Sequence, residues 1–435
     1  MSETVAQDAF RVRGGRPITG RFRPSGNKNE ALPAVAAALL GRGTVTLRNV
    51  PDILDVEVML DAAASLGAEI GRNGDRERVT INAERLHQDA PDPALAAAIR
   101  GSFLFSAPLL ARLGRCRLPR PGGDKIGRRR VDTHLLALRA LGAKIQVGDA
   151  EYAMTLDGPF QGTDVFLDEA SVMATENAVM AAAVAEGTTR IANAASEPHV
   201  QGVCRLLNAM GAEIRGIGTN LLEVEGRPEL LGAEHEIGPD HIEIGSLIGL
   251  AAVTGGELVV EPVRADDLRM IGMVFRRLGI HTEIEGQRLL VPGGQELVIA
   301  SDVHDAIAKV DDAPWPGFPA DLLSIALVVA TQARGTILMH EKLFESRMFF
   351  VDRLVGMGAK IVLCDPHRAV VVGPSALHGA TISSPDIRAG MAILIAALCA
   401  DGTSIIHNIR QIDRGYARID ERLRALGADI ERLPA

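Results

Sequence analysis

Along this chain two hydrophobic periods take turns, and the exchange is made six times. Stretches such as TVTLRNV from Thr44, TTRIANA from Thr188 and TILMHEK from Thr336 alternate apolar and polar residues. That is the period of a strand with one buried face. Stretches such as DVEVMLDAAASLGA from Asp55 and RIDERLRALGA from Arg418 place apolar residues three and four apart, the period of an amphipathic helix. A third class is apolar on every side: LLSIALVVA from Leu322 and MAILIAALCA from Met391. These runs are too short to cross a bilayer, so they read as helices buried in a core.

The same phrase closes each amphipathic helix. It reads LGAEI at Leu66, LGAKI at Leu141, MGAEI at Met210, LGIHT at Leu278, MGAKI at Met357 and LGADI at Leu426, at intervals of 75, 69, 68, 79 and 69 residues. A Gly that opens an alternating run precedes each phrase: Gly43, Gly114, Gly187, Gly256, Gly335 and Gly402. The distance from that Gly to the Gly of the phrase stays between 23 and 28 residues. Such regularity marks an internal repeat. Each unit reads as a buried Ala-rich helix ending near its first Gly, a strand, an amphipathic helix stopped by Gly, and a hairpin of two further strands. One unit cannot cover its own sheet, so six units predict two sets of three around shared helical cores.

Composition narrows the picture. The 435 residues exceed one ordinary core. Hydrophobic residues make up 47 % and aromatic ones only 3 %, so the cores are built of Ala, Leu, Val and Ile. The net charge of −9 excludes a general nucleic-acid binder, which needs a basic footprint. Cys116, Cys204, Cys364 and Cys399 are scattered, with no CxxC, so neither a metal site nor a disulfide framework is expected. The opening MSETVAQDAFRVRGG lacks the basic and apolar regions of a signal peptide, and the chain is expected to be cytoplasmic, with no membrane or nucleic-acid partner.

Within this acidic chain, cationic and other polar residues gather at one place in the repeat. Ahead of each buried helix stand Lys28-Asn29-Glu30, Arg100, Thr175-Glu176-Asn177, Glu243, Asp321 and Arg388. Singly each reads as a cap or a first-turn charge. Together they place polar helix N-termini, three with explicit positive charge, where a multiply charged anion would bind. Two loops depart from the repeat. LPRPGGDKIGRRRVDTH, from Leu118 to His134, packs a Gly pair, Asp124, Lys125 and three consecutive arginines where the second amphipathic helix should begin. Asp413-Arg414-Gly415-Tyr416 occupies the matching slot of the sixth unit.

These motifs, from SGNKNEALP at Ser25 to IDRGYARI at Ile412, resemble the enolpyruvyl transferases over essentially the whole chain. The resemblance implies an α/β (α+β) fold of two inside-out α/β barrel (prism) domains of three repeats each. It places 1–27 with 239–435 in a first, discontinuous domain and 28–238 in a second, with the active site in a cleft between them. The shikimate-pathway branch is set aside because SGNKNEALP lacks the Ser and Arg expected after its lysine. What the resemblance then implies is transfer of the enolpyruvyl group of phosphoenolpyruvate to the 3′-hydroxyl of UDP-N-acetylglucosamine, with release of phosphate, a step toward peptidoglycan. No cofactor is implied, and the chain is expected as a monomer or weak homo-oligomer. A paralogue acting on another nucleotide or nucleotide sugar, and a weakly catalytic binding protein, are the competing readings.

Residue by residue, the resemblance makes Lys28, Asn29, Arg100, Arg129, Arg388 and Arg414 similar to the family's phosphoenolpyruvate ligands. Asn29, Arg100, Arg128, Arg129, Val131, Asp132, His134, Ser171, Val172, Asp321 and Phe344 fall where it holds the sugar nucleotide. Asp124, Asp321, Lys28 and Arg414 take the catalytic places. The residue types suit the chemistry: a phosphate and a carboxylate call for planar, bidentate arginines, and addition–elimination needs an acid and a base. The sequence departs from the pattern at Asp124, where most members have Cys, and at Arg130, Met173, Ser196, His241 and Ala320. Without the thiol, inactivation by epoxides such as fosfomycin is not expected. An Asp near its reference pKa is protonated in only about one molecule in a thousand at pH 7, so a more acidic pH optimum is expected than in Cys-bearing relatives.

Overall fold

The computed structural model describes residues 8–72, 74–123, 126–127 and 129–434. It divides into two compact units. One comprises 1–25, 124–128 and 239–435, the other 26–123 and 129–238.

The repeated phrase has a definite stereochemistry. In all six repeats its Leu or Met is the C-cap of the amphipathic helix, and its side chain is buried. The Gly that follows adopts φ between +87° and +110° at Gly67, Gly142, Gly211, Gly279, Gly358 and Gly427. The next amide then reaches back to the last helical turn, as from Ala68 N to Ala63 O, Ala212 N to Leu207 O and Ala428 N to Leu423 O. This is a Schellman cap. The phrase recurs because a buried apolar cap and a left-handed glycine are what it takes to stop the helix and return the chain to the sheet; the residue after the Gly need not be small, since Ile280 N reaches Phe275 O in the same way.

The sheets share one plan. A short strand lies parallel to its neighbour, and two antiparallel strands complete the ladder. In the third repeat the order is Asp164–Phe166, Thr188–Ala192, Leu221–Glu225, Glu213–Arg215. In the fifth it is Ala308–Asp311, Gly335–His340, Arg368–Gly373, Lys360–Asp365. Distant segments fill vacant places elsewhere. Glu234–Glu236 supplies the parallel edge of the first sheet beside Thr44–Arg48. Gly20–Phe22 does so in the fourth, beside Leu258–Val260. In the sixth, Ala9–Arg13 lies between Thr403–His407 and Asp429–Leu433. The second repeat has only three strands, Arg115–Pro119, Glu151–Thr155 and Lys144–Val147. Where an edge strand is due, the chain reads DAPDP and forms a short helix, Pro93–Ala98, capped by Asp92; proline has no N–H for a ladder.

The all-apolar runs are buried helices, as expected. His241–Thr254, Ala320–Gln332 and Ile387–Cys399 pack on one another in the first unit. In the second unit Val172–Ala182 packs on Lys28–Ala38 and Ser106–Leu113. Of these helices two have glycine C-caps, Gly114 and Gly255; the others end three to five residues before the repeat Gly. Among the described residues no helix is long and apolar enough to cross a membrane.

Candidate active site

In the second unit Lys28-Asn29-Glu30 open an α-helix, whereas Thr175-Glu176-Asn177 lie one turn inside Val172–Ala182. Lys28 is the first residue of its helix. Its cap is Asn27, whose side chain accepts from Glu30 N. Lys28 Nζ lies 2.7 Å from Asp55 Oδ2, both buried. Glu30 is also buried; it bonds His235 Nε2 at 2.8 Å and accepts from Gly238 N at 3.1 Å. Asn29 beside them is half-buried. Arg100 departs from the plan: it opens a 3-10 segment, Arg100–Phe105, rather than an α-helix.

Arg100 donates to Arg130 O at 2.6 Å. Burial, and then the nearby charge of Arg129, bring its pKa down to about 10. Two guanidinium groups are thus held close enough to repel. The loop's Gly pair makes this possible. A Cβ on Gly122 would lie 1.8 Å from Ala97 O, and Gly123, at φ +106°, passes 3.3 Å from Arg100 Cβ and 3.7 Å from Arg129 Nη1 by the same measure. Only glycines let the backbone run this tightly against the arginines. Asp124 and Arg128 lie outside the described residues. Within the first unit, Ile126 O accepts from Ser346 N.

Arg130 braces the loop exit. It bonds Asp168 at 2.9 Å and Asp132 at 3.3 Å, while Thr133 donates to Asp168 at 2.7 Å. Asp132 is exposed and Val131 half-buried. His134 is 1 % exposed, its Nδ1 2.8 Å from Asn177 Nδ2 and its ring edge-on to Phe103. Its imidazole belongs to the core. Burial, then Arg100, push its pKa down to about 3. Ser171 is the N-cap of Val172–Ala182 and makes no side-chain cap bond; both Ser171 and Val172 are half-buried. In the next turn Glu176 is buried, and desolvation, then Glu197 and Glu30, hold its carboxyl well above the usual range.

The first unit builds its cluster around Asp321, in the first turn of Ala320–Gln332. Arg388 gives Nε at 3.0 Å and Nη2 at 2.9 Å to Oδ2. Arg347 gives Nη2 to Oδ1 at 3.0 Å. Asp386 caps the helix that carries Arg388, accepting from the amides of Arg388 and Ala389. Arg388 also stacks on Tyr416 and donates to its hydroxyl at 3.3 Å; that hydroxyl lies 3.1 Å from Ser246 Oγ. Arg347 stacks on Phe344, 5.0 Å from the ring. Burial opposes the charge of both arginines, and Asp321 with their other neighbours together outweighs it: Glu341 and Asp386 at Arg347, Tyr416 and Asp240 at Arg388. Both are therefore held above their ordinary value. Behind Arg347 lies Glu341, 0 % exposed; burial, against the pull of Arg347, pushes its carboxyl up to about 9. Arg414 is half-buried and bonds Gln411 at 2.9 Å. His241 is buried, edge-on to Trp315.

Sequence reasoning missed Arg347, Glu341 and Asp55. Arg347 and Asp55 lie more than twenty residues from the groups they serve, Asp321 and Lys28, and Glu341 is six residues from Arg347 across an irregular turn; all three are on ordinary-looking helix or strand ends. The one available signal was an Arg at a buried position, which pairing alone can explain.

A family model described as EPSP synthase (3-phosphoshikimate 1-carboxyvinyltransferase) matches residues 12–423. The chain belongs to this family. It is an enolpyruvyl transferase, as the repeat and loop motifs led one to expect. It is 54 % identical to the UDP-N-acetylglucosamine 1-carboxyvinyltransferase of Treponema denticola, over 97 % of this chain and 98 % of that one. With the Bradyrhizobium diazoefficiens protein of the same name it shares 55 %, over 99 % of each. Among solved structures it resembles the enolpyruvyl transferase NikO from Streptomyces tendae, with a TM-score of 0.87 at 24 % identity over 99 % of both chains. It also resembles EPSP synthase from Acinetobacter baumannii, with a TM-score of 0.74 at 20 % identity over 98 % of this chain and 100 % of that one. At such identities the likeness is one of fold, and that fold is the two-domain α/β architecture of these transferases.

Proposed function

We propose that this transferase moves the enolpyruvyl group of phosphoenolpyruvate to the 3′-hydroxyl of UDP-N-acetylglucosamine and releases inorganic phosphate. The observation that carries this reading is more than half identity, across nearly the whole of both chains, with carboxyvinyltransferases of that name. The chemistry supplied by the residues fits it. Arg100 and Arg129, with Lys28, Arg388 and Arg414, hold the phosphate and carboxylate of phosphoenolpyruvate, since guanidinium groups meet such oxygens in pairs. Asn29, Arg128, Val131, Asp132, Ser171, Val172 and Phe344 meet the sugar nucleotide, and His134 supports that segment from the core.

In the addition step a proton passes to C3 and the 3′-oxygen bonds to C2, while the hydroxyl proton passes to a base. In the elimination step the C2–O bond to phosphate breaks as C3 returns a proton, leaving the enolpyruvyl ether and phosphate. Asp321 is the base. Its two arginines favour the ionised form and fix its direction, so it trades basicity for aim. Asp124 is the acid at C3. With cations beside it in sequence, it takes its proton from the phosphoenolpyruvate it meets, or from solvent as closure desolvates the carboxyl and raises its pKa. The enzyme works in the cytoplasm as a monomer or weak homo-oligomer. Phosphate release measured with phosphoenolpyruvate and a panel of acceptors tests the reading. Turnover with UDP-N-acetylglucosamine is expected; turnover only with another nucleotide, or with no UDP-sugar, overturns it.

A further inference from the structure

Arg414 sits in a loop that the first unit pins at both ends. On one side, Tyr416 is buried, with its hydroxyl on Arg388 and Ser246. On the other, Asp413 ends the four-residue helix Arg410–Asp413 and is gripped from the far end of the chain. Arg432, in the last strand Asp429–Leu433, gives Nη1 to Asp413 Oδ2 and Nη2 to Asp413 Oδ1, both at 2.8 Å. The same Nη2 lies 2.9 Å from Asp420 Oδ1, at the start of the next helix, Ile419–Ala425. The guanidinium lies over the Phe10 ring, 4.9 Å from its centre, and Phe10 is fully buried, directly across the strand ladder from Arg432. Between the pins there is no slack. A Cβ on Gly415 would fall 2.4 Å from Ile387 Cγ2, so the loop presses on the base of the helix that carries Arg388.

This arrangement does two things. It fixes the backbone from which Arg414 projects. It also occupies both oxygens of the carboxylate adjacent to Arg414 in sequence. A released Asp413 would leave an uncompensated carboxylate one residue along the chain from the guanidinium that is to receive an anion, free to turn toward it.

We propose that Arg432 is a positioning residue for Arg414, which by holding Asp413 keeps both the aim and the charge of Arg414 available to the anionic substrate. This rests on the reading above, in which Arg414 grips phosphoenolpyruvate. Steady-state kinetics and thermal unfolding of the full chain test it. Arg432→Ala is expected to raise KM for phosphoenolpyruvate about tenfold, with KM for the sugar nucleotide and kcat within about twofold. Arg432→Lys, which keeps the charge but not the fork, should restore part of the loss. Adding Asp413→Asn to Arg432→Ala should also recover part of it, because the competing carboxylate is gone; a purely structural latch gives no such recovery. The proposal fails if Arg432→Ala lowers stability with both KM values and kcat changed alike, or if the double variant is no better than the single one. Should Arg432→Ala not fold, the comparison of Arg432→Lys with Asp413→Asn decides: the Lys variant must raise KM for phosphoenolpyruvate more than the Asn variant does. Arg414→Ala separates the two layers of argument. If it leaves phosphoenolpyruvate binding unchanged, the functional assignment of Arg414 is wrong, whatever Arg432 does.

Discussion

The two units treat their arginines in opposite ways. In the second, Arg100 donates to a backbone carbonyl and lies near enough to Arg129 for its charge to be disfavoured. In the first, Arg347 and Arg388 both turn on the one carboxylate of Asp321 and are the more firmly charged for it. The first arrangement holds a repulsion that an anion, bound there as proposed, would relieve. The second commits part of its cationic charge to orienting an anion the protein already owns. Like residues at like places in a repeat therefore do unlike work, and the nearest opposite charge decides which.

The contrast can be broken most severely at Asp321. Asp321→Asn removes the proposed base and takes from two buried guanidinium groups the carboxylate they share. Turnover should fall by about 10³ or more, read as phosphate release, and the melting temperature should fall with it. A variant that kept full turnover would remove Asp321 from the chemistry. Arg100→Met attacks the other side. It should raise KM for phosphoenolpyruvate by about ten- to a hundredfold, the worth of a charge-assisted pair. It should do so without loss of stability, since the repulsion with Arg129 goes too.

Two smaller effects sharpen the same comparison through stability. Glu341 has a folded-state pKa of about 9, above its unfolded value. Its proton is therefore retained on folding, and its contribution is full below the unfolded pKa near 4.5 and lost as pH rises toward 9. Glu341→Gln carries no such dependence and should be more stable than the parent at pH 8 by roughly 1–3 kcal/mol in urea unfolding. Equal stability at pH 8 would place the charged form in the fold. His134 shows the reverse sign. Its folded pKa, about 3, lies below the unfolded one, so its contribution is full above about pH 6.5 and is lost as pH falls toward 3. Between pH 7.5 and 5.5 the parent should lose about 1 kcal/mol more than His134→Leu does. An identical pH slope in the two would show a charged ring.

Much of this was legible in the residues. The LGA phrase announced six helix ends because a Schellman cap makes local demands, and all six glycines adopt the left-handed conformation. The buried helices of the first unit were legible because no charge interrupts them after the first turn. Asp321 and Arg388 could each be picked out at a helix start, but their pairing could not, since 67 residues separate them. Arg347 and Glu341 gave no sign of their roles, and His134, read as a loop contact, has a ring that fills the core beside Phe103. The three-stranded second sheet was foreshadowed only by its prolines.

The sequence by itself determined the repeat, the strand and helix order within each unit, the helix stops and the gathering of cationic residues at helix starts. Those follow from hydrophobic period and from backbone preferences that act over a few residues. Tertiary structure alone decided which strand fills each vacant edge, which carboxylate each arginine meets, and hence which cations stay available for a substrate. Such choices depend on groups far apart in the chain meeting within about 3 Å, a distance that no local pattern encodes.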